Sequence, residues 1–241
     1  MTAKPKTSTL SAPERFVVAV DVVVFTLVND ELHTLLVRRD EPPFKGHWML
    51  PGGTVQGKED LMGAAKRVLK EKAGLTGVYP EQLYTYSEPK RDPRDRSISV
   101  THMALVHQER FEALKPHQHE TTLAKILVSW EGEEGGPIKA HFPTGEQMPL
   151  AFDHAEMIGL AVKRMRGKLN YTPVGYQLLP ETFTITQLQR VHEAILGRPL
   201  NKDSFRRRML ASGELEPIGE SQSEVDHRPA ALYRFTALSA V

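Results

Sequence analysis

The first two thirds of the chain alternate apolar runs with short polar breaks, a pattern typical of a sheet. Residues 16–27 and 32–38 are rich in β-branched and apolar side chains, and Asn29-Asp30 between them is a turn signal. The pair is therefore predicted to form two adjacent strands. Further strands are predicted at 82–87, 97–106 and 124–130.

Helical periodicity interrupts this pattern twice. Residues 59–73 place apolar side chains on one face, and Gly74 is a natural C-terminal stop. A second amphipathic helix is predicted at 153–166. Two intervals rich in proline, glycine and charge, 88–96 and 131–149, are predicted to be loops.

The C-terminal quarter has a different organisation. Thr184-Ile185-Thr186-Gln187 fits a capping box, so a helix is predicted over 184–196 and ends at Gly197. Asn201 is a candidate N-cap for a second helix, in which Phe205, Met209 and Leu210 are expected to point inward. Residues 214–236 then read as a β-hairpin. Two helices, a tight turn and a hairpin predict a winged helix-turn-helix.

Composition narrows the class of protein. The chain has 241 residues, 25% of them charged and 40% hydrophobic, which is ordinary for a globular protein. It has no cysteine, its first residues lack the apolar segment of a secretory signal, and its longest apolar run is too short to cross a bilayer. We therefore expect a cytoplasmic protein with no membrane partner.

The distribution of charge is more informative than its sum. The formal net charge is only +1, which does not by itself indicate a nucleic acid partner. Between 184 and 212, however, six residues are basic and two are acidic. The predicted second helix therefore carries a concentration of arginines.

A loop and helix in the first part of the chain resemble the Nudix box. The resemblance rests on seven positions at the family's spacing, namely Gly53, Glu59, Arg67, Leu69, Glu71, Gly74 and Leu75. In that family the box holds divalent metal against a diphosphate. Two of the three helix positions that the family uses for metal-ligating glutamates are occupied here by Val68 and Lys72. Because Mg²⁺ requires anionic oxygen ligands, we expect no metal site, no catalytic residues and at most weak residual hydrolase activity.

Loss of metal does not exclude ligand binding, because Lys72 can pair with phosphate oxygens. Arginines suit diphosphates, and an aromatic ring can stack on adenine. Taken singly, each candidate is also explained as a surface arginine, a core aromatic or, for Glu71, an ion pair with Arg67. The predicted effector-binding residues are Arg38, Arg39, Phe44, Trp48, Gly52, Gly53, Glu71, Lys72, Arg94 and Arg96.

The second C-terminal helix has the phase of a DNA-reading helix. Phe205 and Met209 share one face, whereas Arg207 points almost opposite. A recognition helix requires this arrangement, although a solvated basic helix with an Asp203–Arg207 pair would share it.

Motifs along the chain resemble the Nudix-related transcriptional regulators of NAD metabolism. The likeness rests on Leu150-Ala151-Phe152-Asp153-His154, on 195–200, on Phe205-Arg206-Arg207 and on His227-Arg228-Pro229. It implies a Nudix domain that binds ADP-ribose and a winged helix that binds a palindromic operator as a homodimer, released by the effector. The residues that it implies at DNA are Asn201, Lys202, Ser204, Arg206, Arg207 and, in the wing, Arg228.

The predicted fold class is α/β (α+β), a Nudix α/β/α sandwich with a mixed sheet followed by a winged helix-turn-helix. The predicted divisions are a flexible N-terminus at 1–15, an effector domain at 16–166, a linker at 167–183 and a DNA-binding domain at 184–241. No cofactor is required, and ADP-ribose is the expected effector. Two alternatives stay open, an active Nudix hydrolase of a nucleoside diphosphate derivative and a regulator of sugar utilisation.

Overall fold

The apolar first strand contributes side chains to both faces of the sheet in the larger part of the fold. The computed structural model describes residues 15–112, 119–169, 174–221 and 230–236. Within strand β1 (Val17–Val28), Val20, Val22 and Val24 pack on one face of the sheet, and Val23 and Phe25 pack on the other. Because successive side chains of a strand point to opposite faces, this one apolar run supplies two cores.

The remaining elements complete a mixed sheet with helices on both faces. Their bounds are β2 (Glu31–Arg38), β3 (Trp48–Met49), β4 (Gly52–Thr54), α1 (Leu61–Ala73), β5 (Glu81–Tyr86), β6 (Ser97–Leu105), α2 (Glu109–Glu112), β7 (Thr121–Leu127), β8 (Lys139–His141), β9 (Gln147–Met148) and α3 (His154–Lys168). The sheet order is β5-β6-β1-β2-β7-β8-β9, β3 pairs with β2 and β4 with β1, and only the β1–β6 pairing is parallel among the described strands.

Helix α1 covers the face formed by Val20, Val22 and Val24. Its buried residues are Ala64, Ala65, Val68, Leu69 and Ala73, as the periodicity predicted. Asp60 is the N-cap, and Gly74 ends the helix with a φ of 68°, the left-handed conformation that glycine adopts without strain. The opposite face of the sheet is covered by α3, which buries Met157, Ile158, Ala161, Val162 and Met165.

The C-terminal part is a winged helix. It contains a 3₁₀ turn (Tyr176–Leu178), α4 (Ile185–Leu196), α5 (Lys202–Ala211) and a hairpin of β10 (Leu215–Ser221) with β11 (Ala231–Phe235). The capping box predicted at Thr184 and Gln187 is formed, and Asn201 caps α5 by accepting a hydrogen bond from the Ser204 amide. Phe183 pairs with Tyr233 across the backbone, which joins the segment before α4 to the wing.

Three details differ from the sequence predictions. Leu210 was expected to point inward but is 43% exposed, because it lies about 140° around α5 from the buried Phe205. The interval 131–149, predicted as a loop, contains the short strands β8 and β9. The strand predicted at 124–130 is β7, which begins and ends three residues earlier. No helix in the described ranges combines the length and the apolar character needed to span a membrane.

Candidate functional site

An arginine and aromatic cluster lies where α3 begins, next to the end of β2. The guanidinium of Arg39 lies 5.1 Å and that of Arg94 lies 5.6 Å from the centre of the Phe152 ring, and the Phe44 ring packs edge-on against it at 4.9 Å. We call these four residues, Arg39, Phe44, Arg94 and Phe152, the arginine–aromatic cluster. Three of the four were predicted as effector-binding residues from the sequence, and the structure brings them together around a residue that was not.

The backbone of this cluster is held in an unusual conformation. Phe44 has a φ of 64° and Phe152 a φ of 53°, in the left-handed region that bulky residues rarely adopt. Such conformations persist only where neighbouring contacts hold them, and they concentrate at ligand sites. Arg39 is one source of that support, because it donates hydrogen bonds to the carbonyls of Pro42 and Pro43. Its burial also lowers the pKa of the guanidinium.

A buried polar network lies directly beneath the Pro51-Gly52-Gly53 turn. Arg91 donates two hydrogen bonds to Asp153, at 2.8 and 2.9 Å, and its guanidinium lies 3.8 Å from the carboxylate of Asp21. Ser99 donates a hydrogen bond of 2.6 Å to the same carboxylate. The network therefore links β1, β6, the 88–96 loop and the first turn of α3.

His154 joins this network to the turn above it. Its Nδ1 accepts a hydrogen bond of 2.9 Å from the Leu50 amide, and its Nε2 lies 3.7 Å from Asp21 Oδ1. Burial lowers the pKa of His154, which agrees with an imidazole whose Nδ1 is an unprotonated acceptor. Gly52 has to be glycine here, because a Cβ would lie 2.0 Å from Asp21 Oδ1 and 2.9 Å from the Val20 carbonyl oxygen.

The carboxylates of Glu59 and Glu71 in the Nudix-like box accept hydrogen bonds from one arginine. Arg67 donates to Glu59 at 2.6 and 2.9 Å, to Glu71 at 3.0 Å and to the Thr54 carbonyl at 2.9 Å. The hydrogen bonds from Arg67 lower the pKa of Glu59 to about 2. Glu71, predicted as an effector-binding residue, is therefore half of an i,i+4 ion pair, as the simpler alternative expected.

The two positions that depart from the box carry no carboxylate. Val68 is 1% exposed, and its Cγ1 lies 3.2 Å from where a Cβ on Gly53 would stand, so this position is filled by hydrocarbon. The Lys72 ammonium lies 3.3 Å from His119 Nε2. Within the described ranges no three His, Cys, Asp or Glu residues are grouped so that they could hold a metal ion. A divalent cation of the kind that Nudix hydrolases use does not fit this donor set.

The other predicted effector residues lie outside the arginine–aromatic cluster. Trp48 is 5% exposed and packs edge-on against Phe142 at 5.8 Å, so its ring is part of the core and offers no face to a base. Arg38 pairs with Glu120 at 3.0 Å on the surface. Arg96 donates to the Ser87 carbonyl at 2.6 Å and lies over Phe16.

Sequence reasoning missed Asp21, Arg91, Phe152, Asp153 and His154. Three of them lie in the 150–154 segment that carried the family resemblance, so a signal was present but was not assigned to the site. The other two act through tertiary contacts that one sequence cannot reveal.

The second candidate site is the exposed surface of α5. Phe205 is 3% exposed and packs edge-on against His192, which fixes α5 on α4. The predicted DNA-binding residues at 201, 202, 204, 206 and 207 are all exposed. Arg208 is also exposed, but its guanidinium lies over the Phe205 ring at 5.5 Å. Arg228, predicted in the wing, lies outside the described residues.

These two sites define a class of protein, a Nudix-fold domain joined to a winged helix that presents a basic helix. Comparison with known proteins gives the same division, since residues 17–135 match the NUDIX domain family and residues 175–235 match the NrtR DNA-binding winged helix domain family. The chain is 36% identical over 221 residues to the "ADPR responsive transcriptional repressor NtrR" of Acinetobacter baylyi, an alignment that covers 90% of this chain and 80% of the relative.

A solved structure is similar to this chain over most of its length. The structure of Shewanella oneidensis NrtR in complex with a 27mer DNA is similar, with a TM-score of 0.71 and 33% identity over 90% of this chain and 93% of the other. A shorter match, 39% identical over 79 residues, joins 33% of this chain to 47% of an ADP-ribose pyrophosphatase of Methanocaldococcus jannaschii. The chain belongs to the NrtR family of Nudix-related transcriptional regulators.

Proposed function

We propose that this protein is a repressor of NAD-metabolism genes that binds a palindromic operator as a homodimer and is released from it by ADP-ribose. The observation that carries the proposal is the presence in one chain of a Nudix box with Val68 and Lys72 in place of carboxylates and an exposed basic helix. The first is suited to binding a nucleotide sugar without cleaving it, and the second is suited to a DNA groove. The relative named as ADPR-responsive, 36% identical, supports this choice of effector. Such a protein acts in the cytoplasm, where bacterial operators lie.

The effector site is proposed to be the arginine–aromatic cluster together with the adjacent glycine turn. The guanidiniums of Arg39 and Arg94 both lie over the Phe152 ring, and they can instead pair with the diphosphate oxygens of a bound ligand. Phe44 is 37% exposed and offers a ring against which adenine can stack. Gly52 and Gly53 let a ligand approach the backbone closely. Lys72 supplies a further cation at the end of the box where a metal ligand is missing.

Binding without hydrolysis follows from the donor set. The two remaining box carboxylates are hydrogen bonded to Arg67, Val68 offers no oxygen, and Lys72 adds positive charge where a cation would have to sit. Without a metal to polarise the diphosphate, we expect at most weak residual hydrolysis. The alternative of an active hydrolase is favoured by the match to an ADP-ribose pyrophosphatase, and it requires these losses to be tolerated.

Effector binding is tested by thermal unfolding and calorimetry with ADP-ribose, in Mg²⁺ and separately in EDTA. A ligand that binds only the folded state raises the melting temperature. At a free ligand concentration of 100 times Kd it adds about 2.7 kcal/mol to the free energy of unfolding. The expected result is the same affinity in both buffers and a loss of at least tenfold in Arg94→Ala, with Arg38→Ala as the matched surface control. Binding that requires Mg²⁺, or no binding at millimolar ADP-ribose, would refute the proposed site.

A further inference from the structure

Helix α3 joins the proposed effector site to the winged helix. Its N-cap is Asp153, which holds Arg91 of the 88–96 loop, and the preceding residue, Phe152, is the centre of the arginine–aromatic cluster. Fifteen residues later the helix ends against α4. At 1.5 Å per residue the two ends are about 22 Å apart.

The far end of α3 is attached through one buried arginine. Arg166 is 5% exposed, and its Nε donates a hydrogen bond of 2.9 Å to the carbonyl of Ile195. Ile195 belongs to the last turn of α4, where carbonyls have no partner within the helix and where the helix dipole favours a cation. A Cβ on Gly197, the C-cap of α4, would lie 3.2 Å from Arg166 Nη2, so this glycine leaves room for the guanidinium. Arg166 therefore caps the first helix of the winged helix from outside it.

The same guanidinium also holds a third segment. Nη1 donates to the carbonyls of Trp130 and Gly132, at 3.2 and 3.1 Å, and the guanidinium lies 4.7 Å from the centre of the Trp130 ring. These three acceptors in the described part of the chain are all backbone carbonyls, and burial lowers the pKa of Arg166. A buried cation held without a carboxylate is costly, whereas an apolar side chain would fill the same space more cheaply. Its use here is consistent with fixing the mutual geometry of three segments.

Helix α3 is closely packed along its length. Met157, Ile158, Ala161, Val162 and Met165 are fully buried. A Cβ on Gly159 would lie 1.8 Å from the carbonyl oxygen of Gly136, so the helix is in contact with the 130–136 segment near its middle. Trp130 Nε1 donates to the same carbonyl at 3.2 Å. A displacement of the first turn of α3 is therefore carried to Trp130 and Arg166.

A cleft lies next to Arg166 at the junction between the two domains. It has a volume of about 1190 Å³, lies between the start of β2, the end of β7 and α4, and is lined by Arg166, Trp130 and His192 among others. Across it, Arg190 pairs with Asp30 at 3.4 Å, and both side chains are more than half exposed. Such a surface pair contributes little, so the buried contacts of Arg166 are the stronger of these two polar attachments of α4.

From this arrangement we propose that Arg166 is the positioning residue through which α3 couples effector occupancy to the orientation of the winged helix. The inference rests on the proposed function. An anionic ligand that binds Arg39 and Arg94 competes with their contacts to Phe152, the residue immediately before α3. The ligand therefore interacts differently with the protein in two positions of α3. A ligand can drive a conformational change only through such a difference.

The test compares Arg166→Met with Arg164→Met, a matched control on the same helix whose arginine is exposed and donates to a single carbonyl, that of Leu83. The measured quantity is the ratio of operator affinities without and with saturating ADP-ribose. We expect this ratio to be about 5- to 150-fold in the wild type and in Arg164→Met. In Arg166→Met it should fall below about twofold, while the ADP-ribose affinity changes less than about threefold.

The outcomes separate the inference from the proposed function. If ADP-ribose does not release the wild type from DNA, the proposed function fails. If the wild type is released and Arg166→Met is released to the same extent, the coupling role of Arg166 is wrong, even where the variant melts at a lower temperature. If Arg166→Met does not fold, hydrogen exchange of the wild type decides the matter. Protection at 130–136 and 195–197 should change on addition of ADP-ribose, and unchanged protection there would overturn the inference.

Discussion

Substitution of Arg207 tests the orientation of α5 with a control from the same helix. At 100° per residue, Arg207 is rotated about 200° from the buried Phe205 and Arg208 only about 60°. The Arg208 guanidinium lies over the Phe205 ring, whereas Arg207 projects from the opposite face. If that face enters a major groove, Arg207 is placed to read base edges and Arg208 is not.

The expected magnitude follows from what each side chain can contact. Loss of an arginine that hydrogen bonds to a guanine edge costs about 1–3 kcal/mol in discrimination, which is about 5- to 140-fold in affinity for each half-site. Arg207→Ala should therefore weaken operator binding by that factor and relax sequence preference at one position per half-site. Arg208→Ala removes a cation–π contact, worth about 0.5–1 kcal/mol at an exposed site, and should leave sequence preference unchanged.

The assay is fluorescence anisotropy with operator and scrambled duplexes at two salt concentrations. Both variants should keep the wild-type melting temperature shift with ADP-ribose, because neither side chain belongs to the Nudix domain. Equal losses in the two variants, or unchanged operator affinity in Arg207→Ala, would show that α5 does not read DNA through this face.

Three further predictions concern the DNA backbone, catalysis and pH. Lys202→Ala should weaken operator and scrambled DNA alike and reduce the salt slope by about 1, because a phosphate contact carries no sequence information; a selective loss on the operator would contradict this. With Mg²⁺ the protein should hydrolyse ADP-ribose far more slowly than about 1 per second, and turnover at or above that rate would show that the losses at Val68 and Lys72 are tolerated. Burial lowers the pKa of His192 to about 4. Because the folded protein favours the neutral imidazole, His192 contributes its full stabilisation of the folded state above the unfolded-state pKa of about 6.5. This contribution is lost as the pH falls from about 6.5 toward 4. Urea unfolding at pH 7 and pH 5 should therefore show a smaller pH dependence in His192→Leu, and an unchanged dependence would exclude this histidine as its source.

Features encoded by neighbouring residues were predictable from the sequence. The capping box at Thr184, the N-cap at Asn201 and the glycine stops at Gly74 and Gly197 are formed as expected. Each depends on hydrogen bonds within about one helical turn, so a short run of sequence specifies it. The apolar run at 16–27 likewise specified a strand, which is β1.

Features that depend on distant contacts were not predictable. Trp48 looked like a ligand-stacking residue, but β3 places its ring in the core against Phe142. Phe152 joins Arg39 and Arg94 only because α3 and the 88–96 loop meet at the end of β2. The domain limits, the effector contacts and the DNA contacts stay predictions, since they concern partners that only binding experiments can supply.

The central claim is that one chain binds both operator and ADP-ribose, and that the effector releases the DNA. The direct measurement is operator affinity, on duplexes from the promoters of neighbouring genes, with and without ADP-ribose and with AMP as the control nucleotide. The account predicts that ADP-ribose weakens operator binding at least fivefold, in EDTA as well as in Mg²⁺. The ADP-ribose recovered after the assay should be unhydrolysed. Operator affinity that is the same with and without ADP-ribose would contradict it.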